Sequence, residues 1–131
     1  MAKLVHSMIR VANLEASVEF YKQAFDLEVV DRVEFDSFAL VYLRNAESDF
    51  EIELMWNRGG TDPHEMSAGH GHLAVSVPHA ESERTRLESE GLRPGPLKQM
   101  DYDGELLGRY FFVSDPDGHP IEVLEQAGRF V

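Results

Sequence analysis

Apolar and polar residues alternate over residues 4–11, which predicts a β-strand carrying His6-Ser7-Met8-Ile9-Arg10-Val11. Asn13 then stands where a helix N-cap belongs. Leu14, Val18, Tyr21 and Phe25 recur at helical spacing and predict an amphipathic helix of about three turns. Phe20, Tyr21 and Phe25 are core residues on this pattern. Strands follow at 27–34, 37–44 and 49–56, separated by polar breaks. Residues 57–71 form a loop punctuated by Gly59, Gly60 and Pro63, a hinge between two half-units. The pattern then repeats. His72-Leu73-Ala74-Val75-Ser76-Val77 opens a strand over 72–77. Residues 79–90 are polar, but Ala80 and Leu87 share one helical face, and Gly91 is a good C-cap. Strands follow near 97–102, 108–114 and 119–125, and Asp115-Pro116-Asp117-Gly118 predicts the turn joining the last two as a hairpin. Each half therefore reads β-α-β-β-β, in the α+β class.

The echo extends to chemistry. Each half opens on a His, His6 or His72, and closes on a Glu inside an apolar strand, Ile52-Glu53-Leu54 or Ile121-Glu122-Val123. Alternation puts Glu53 on the sheet face opposite Ile52 and Leu54, with Glu51 and Met55. A carboxylate in so apolar a strand calls for a partner. His6, Glu53, His72 and Glu122 are accordingly candidate ligands of one metal site. Two imidazoles and two carboxylates suit Zn²⁺, Ni²⁺, Co²⁺ or Mn²⁺ better than a thiolate-seeking ion. A metal there polarises a carbonyl, and a carboxylate able to leave it serves as a general base, so the natural reaction class is proton abstraction beside a carbonyl. His64, His70, His79 and His119 read as loop or surface residues.

Composition narrows the field. A chain of 131 residues with 43% hydrophobic content suffices for one domain with a single core. A net charge of −12 opposes binding to nucleic acid or anionic membranes. No apolar run approaches a bilayer span, the N-terminus lacks a secretory core, and there is no cysteine, all of which fits a cytoplasmic protein. The absence of cysteine also excludes thiolate ligands and nucleophiles.

These segments together resemble glyoxalase I (lactoylglutathione lyase) within the vicinal oxygen chelate superfamily. The resemblance runs from His6 to Glu125. It rests on His6–Val11 with Ser17-Val18-Glu19-Phe20-Tyr21, on Ile52-Glu53-Leu54 followed by Asn57, on Gly71–Val77, and on Asp115-Pro116-Asp117-Gly118-His119-Pro120-Ile121-Glu122. It implies a single domain of two modules, residues 1–57 and 72–126, forming an open eight-stranded curved sheet around the metal. It implies conversion of the methylglyoxal–glutathione hemithioacetal to S-lactoylglutathione by proton transfer through a metal-bound enediolate. Glu122 would be the base and Glu53 the alternate acid/base. Short members of the family favour Ni²⁺ or Co²⁺ over Zn²⁺. They are commonly homodimers with shared sites, His6 and Glu53 from one chain and His72 and Glu122 from the other.

Arg10 and Asn57 match substrate-contacting positions, and an Arg–carboxylate fork gives Arg10 a physical role towards glutathione. The chain departs from the family elsewhere. Ala68 precedes His72 where an Arg is usual, Arg58 follows Asn57 in place of Trp, and Asp101–Gly108 replaces a Gly/Lys-rich loop. Lys98 and Arg109 are the candidates left to hold substrate carboxylates. The alternatives are another vicinal oxygen chelate enzyme acting on a different thiol adduct or α-hydroxycarbonyl, and a non-catalytic small-molecule binding or resistance protein.

Overall fold

The computed structural model describes residues 1, 3–60 and 71–130. The chain divides into two compact units, Met1–Gly69 and His70–Val131. Among the described residues each holds one four-stranded sheet and one α-helix.

In the first unit β1 (His6–Val11) leads into α1 (Leu14–Phe25), then β2 (Glu28–Glu34), β3 (Phe38–Arg44) and β4 (Glu51–Asn57). The sheet order is β1-β4-β3-β2. β1 and β4 are parallel, and the other pairings are antiparallel. A parallel pair needs a crossover, and α1 with the β2–β3 hairpin supplies it. Asn13 caps α1 as its sequence position suggests, its side chain accepting the Ala16 N–H at 3.0 Å. The helix ends on Asp26 in the left-handed region, φ 54°, with its N–H on Lys22 O. Asn45 then donates to Phe25 O at 3.1 Å and tends one of the open carbonyls of the last turn.

The buried stripe of α1 is Leu14, Ser17, Phe20, Tyr21 and Ala24, while Val18 and Phe25 are only half-buried. The inward residues of the sheet, Ile9, Val11, Val41, Leu43, Ile52 and Leu54, are buried as well. Phe20 meets Tyr21 edge-on, ring centres 5.1 Å apart. The Ser17 hydroxyl is fully buried with no hydrogen-bond partner among the described residues.

The second unit repeats the order with β5 (Leu73–Val77), α2 (Ala80–Ser89), β6 (Lys98–Tyr102), β7 (Glu105–Ser114) and β8 (Pro120–Glu125), arranged β5-β8-β7-β6. β5 and β8 are again the parallel pair. The edge strands β2 and β6 are exposed along their whole length. Asp115–Gly118 turns β7 into β8 as expected, with Gly118 N–H on Asp115 O at 3.0 Å and Gly118 at φ 84°.

Two expectations for this unit are corrected. β7 begins at Glu105 rather than 108, because Asp103 and Gly104, at φ 53° and 79°, make a two-residue hairpin turn after Tyr102. Asp101–Gly108 is therefore the end of one hairpin and not an open loop. Gly108 sits within β7, where a Cβ would lie 2.9 Å from the Phe130 ring, part of the closing 3₁₀ turn Gly128–Phe130.

α2 is held from outside its own sequence. His79 occupies the N-cap without a side-chain cap bond. The Glu125 carboxylate at the end of β8 accepts the Ala80 N–H at 3.0 Å instead, and Arg109 Nη1 holds its other oxygen at 3.0 Å. These two contacts, the backbone N–H first and the guanidinium second, hold the Glu125 carboxyl below the usual carboxylate range. Arg84 ties the same helix to Gly95 O at 2.6 Å. Ala80 and Leu87 are its fully buried residues, as their shared face suggests.

A depressed carboxyl pKa stabilises the fold above its unfolded-state value, and that stability is lost as pH falls through the folded-state value. Glu125→Gln should therefore cost about 1 kcal/mol in urea melts at neutral pH. The gap from wild type should close in acid, and a gap that persists below the carboxylate range would contradict this account. Ser17→Ala removes a buried hydroxyl without a partner and should cost nothing or add up to about 1 kcal/mol. A clear loss of stability would reveal a bond to that hydroxyl.

Candidate metal-binding pairs

In each unit the parallel pairing brings a His and a Glu together in the same way. Met8 lies opposite Glu53 and Ala74 opposite Glu122, so each His stands two residues before the residue facing the Glu. That diagonal keeps the His and the Glu on one sheet face. His6 Nε2 lies 3.5 Å from Glu53 Oε2, and His72 Nε2 lies 2.6 Å from Glu122 Oε2. His6 is the first residue of β1, whereas His72 immediately precedes β5 rather than opening it.

The imidazoles are 38% and 43% exposed and the carboxylates 12% and 18%, so each pair sits at the surface with the carboxylate the deeper partner. Two ligand atoms on one divalent ion stand roughly 3–3.4 Å apart at ordinary metal–ligand lengths. The two observed spacings bracket that range. Each unit thus holds one imidazole and one carboxylate close together on one sheet face.

A residue on β3 adds a contact that the sequence pattern did not single out. Tyr42 faces Glu53 across the β3–β4 register, and its hydroxyl donates to Glu53 Oε2 at 2.5 Å. Tyr42 also meets the His6 ring edge-on at 5.9 Å. In the second unit Phe112 takes this position, opposite Glu122 and edge-on to His72 at 5.3 Å. The hydrogen bond to Glu53, then burial, then the charges of Glu53, Asp31 and Glu51 push the Tyr42 hydroxyl up to about 12.

The expected substrate residues have mixed positions. Arg10 lies on β1 opposite Met55, one step along the Glu53 face, and Asn57 ends β4 opposite Phe38 on that same face. Arg58 lies over the Trp56 ring at 5.3 Å and reaches Phe35 O at 3.4 Å. Arg109 is not available to a ligand beside Glu122. It stands on the opposite face of β7 from Phe112, occupied by Glu125 and by Gln99 at 3.2 Å. Lys98 pairs with Tyr110 and is exposed on the Glu122 side of the sheet. The loop positions from 61 to 70, with His64, Ala68 and His70, lie outside the described residues.

His119 is buried in the β7–β8 turn, its backbone N–H donating to Asp115 Oδ1 at 2.8 Å. Asp117 N–H meets the same oxygen at 2.9 Å, so this carboxylate builds the turn. Ligand atoms of Asp115, Asp117 and His119 also lie within 4.8 Å of one another. No helix among the described residues is long and apolar enough to cross a membrane.

The Tyr42 bond needs the neutral phenol. It contributes stability below the ordinary tyrosine pKa of about 10 and is lost as pH rises through about 12. A spectrophotometric titration of the metal-free protein should show one tyrosinate forming only near that upper limit. Tyr42→Phe should remove that late step, and a variant curve that keeps it would disprove the assignment.

Comparison with known proteins places these features in a family. Residues 3–123 match the Glyoxalase/Bleomycin resistance protein/Dioxygenase superfamily model. The chain is 31% identical to the lactoylglutathione lyase of Escherichia coli O157:H7, over 97% of this chain and 96% of that one. It is 29% identical to the probable lactoylglutathione lyase of Synechocystis, over 96% and 97%. The structure of a glyoxalase I from Leishmania major, described as trypanothione-dependent, superposes with a TM-score of 0.74 at 28% identity, covering 96% of this chain and 88% of that one. Two tandem βαβββ modules, a family model spanning nearly the whole chain and relatives at this identity have one meaning: the protein belongs to the glyoxalase/bleomycin resistance/dioxygenase superfamily.

Proposed function

We propose that the protein is a metal-dependent lyase of the glyoxalase I type, acting on the hemithioacetal of methylglyoxal and a thiol. The observation that carries this is the repeated His–Glu pair, at the same diagonal register in both units. One pair holds a divalent cation weakly, and the duplication supplies a second pair to complete the set of His6, Glu53, His72 and Glu122. This donor set accommodates Ni²⁺ or Co²⁺, which we favour over Zn²⁺. Relatives named lactoylglutathione lyase, near 30% identity over almost the full length, support the same reaction class.

When bound, a divalent cation supplies Lewis-acid polarisation of the substrate's carbonyl and hydroxyl oxygens. The rest falls to side chains. Glu122 takes the proton from the carbon bearing sulfur and returns one to the neighbouring carbon, converting the hemithioacetal to a thioester of lactate. Its carboxylate is 18% exposed, deeper than the 43% exposed His72 ring beside it. Glu53 is the alternate acid/base. Arg10 and Asn57, on the Glu53 face, orient the thiol's polar groups, Arg10 by its planar fork. A homodimer with shared sites completes the proposal.

The thiol itself has a second reading. Arg109 is occupied by Glu125, and a 28% identical relative is described as trypanothione-dependent. A thiol other than glutathione is therefore the runner-up.

Purified protein should lose turnover with a chelator and regain it with Ni²⁺ or Co²⁺. Glu122→Gln should lower kcat by about 10²–10⁴-fold, the usual loss of a general base. Hemithioacetals of glutathione and of other thiols, assayed side by side, decide the substrate. No turnover with any divalent metal and any of these thiols would end this reading.

A further inference from the structure

The two units carry the same row of three cross-strand positions, with one chemical difference. Glu53 lies between Met8 on β1 and Tyr42 on β3. Glu122 lies between Ala74 on β5 and Phe112 on β7. Each aromatic also meets the His of its unit edge-on, so Tyr42 and Phe112 are positional equivalents. What separates them is one hydroxyl, and that hydroxyl is spent on Glu53 at 2.5 Å.

We infer that Tyr42 is a positioning residue that makes the two carboxylates unequal: it tethers Glu53 chiefly as a ligand, reducing its alternate acid/base role, and leaves Glu122 as the carboxylate free to move a proton. An O–H to carboxylate bond of this length is of the strong, charge-assisted kind. It occupies Oε2 and holds the Glu53 side chain in one orientation, so less freedom is lost when that side chain binds an ion. Among the described residues no hydroxyl hydrogen-bonds to Glu122. Its partner is His72 Nε2, a group that also belongs to the ligand set. A carboxylate without a separate tether can swing off an ion and back, and a base needs that motion. The duplication alone gives two interchangeable Glu residues, and Tyr42 breaks the tie. This assignment of roles rests on the lyase reading, whereas the tether itself does not.

Two ring-preserving variants test it in the full chain. Tyr42→Phe should weaken Ni²⁺ binding about 10–100-fold in chelator competition, the usual effect of losing a partner of a metal ligand. Its circular dichroism should match wild type. Phe112→Tyr places a hydroxyl beside Glu122 and should keep or tighten Ni²⁺ binding while lowering kcat at least about tenfold, with KM little changed. Unchanged Ni²⁺ affinity in Tyr42→Phe would overturn the tether. Full kcat in Phe112→Tyr would overturn the division of roles. The affinity measurement needs no substrate. A wild type that binds Ni²⁺ without turnover therefore ends the lyase reading, while weaker binding by Tyr42→Phe would still uphold the tether. Wild-type turnover with unweakened binding in Tyr42→Phe does the reverse. A wild type that binds no divalent ion overturns both.

Discussion

Parallel pairing of the first and last strand of each module is the constraint on which the site depends. His6 precedes by two the residue facing Glu53, and His72 precedes by two the residue facing Glu122. A slip of one residue in either ladder would turn the carboxylate to the helix side and the buried Ile and Leu residues to the outside. The apolar partners forbid that slip. Ile52 and Leu54 are buried in the first unit, and Ile121 and Val123 in the second. Core packing thus fixes the register, and the register fixes the chemistry.

The helices enforce the pairing differently. α1 brings a continuous aromatic and aliphatic stripe, with Phe20 and Tyr21 buried against the sheet. α2 is mostly polar, with Ala80 and Leu87 its buried residues, and Glu125 and Arg84 tie it to its surroundings. One helix is held chiefly by apolar burial and the other chiefly by polar ties to its surroundings.

Much of this was legible before any coordinates. Alternation placed every strand within a few residues, Asn13 announced α1, and Asp115–Gly118 announced the last hairpin, since these signals are local. The His and Glu positions were legible because they repeat. What escaped depends on which strands become neighbours. The pattern shows that Tyr42 and Glu53 each face away from buried residues, but not that they face one another. Arg109 looked like a free cation until the β7–β8 register put it beside Glu125. The Asp103-Gly104 turn was a missed local signal, since the expected strand began only at Gly108, where the Phe130 ring lies close.

The capping of α2 by Glu125 has a consequence for how the protein comes into being. On a ribosome β5 and α2 emerge well before β8, yet β8 supplies both the parallel partner of β5 and the carboxylate that satisfies the first N–H of α2. The first half of that module is therefore exposed as an unpaired strand and a poorly capped, polar helix until residue 125 has left the exit tunnel. Its contacts are long in sequence, so closure is slow and late. Both modules must wait for their closing strand, β4 or β8, but only the second also waits for the carboxylate that caps its helix.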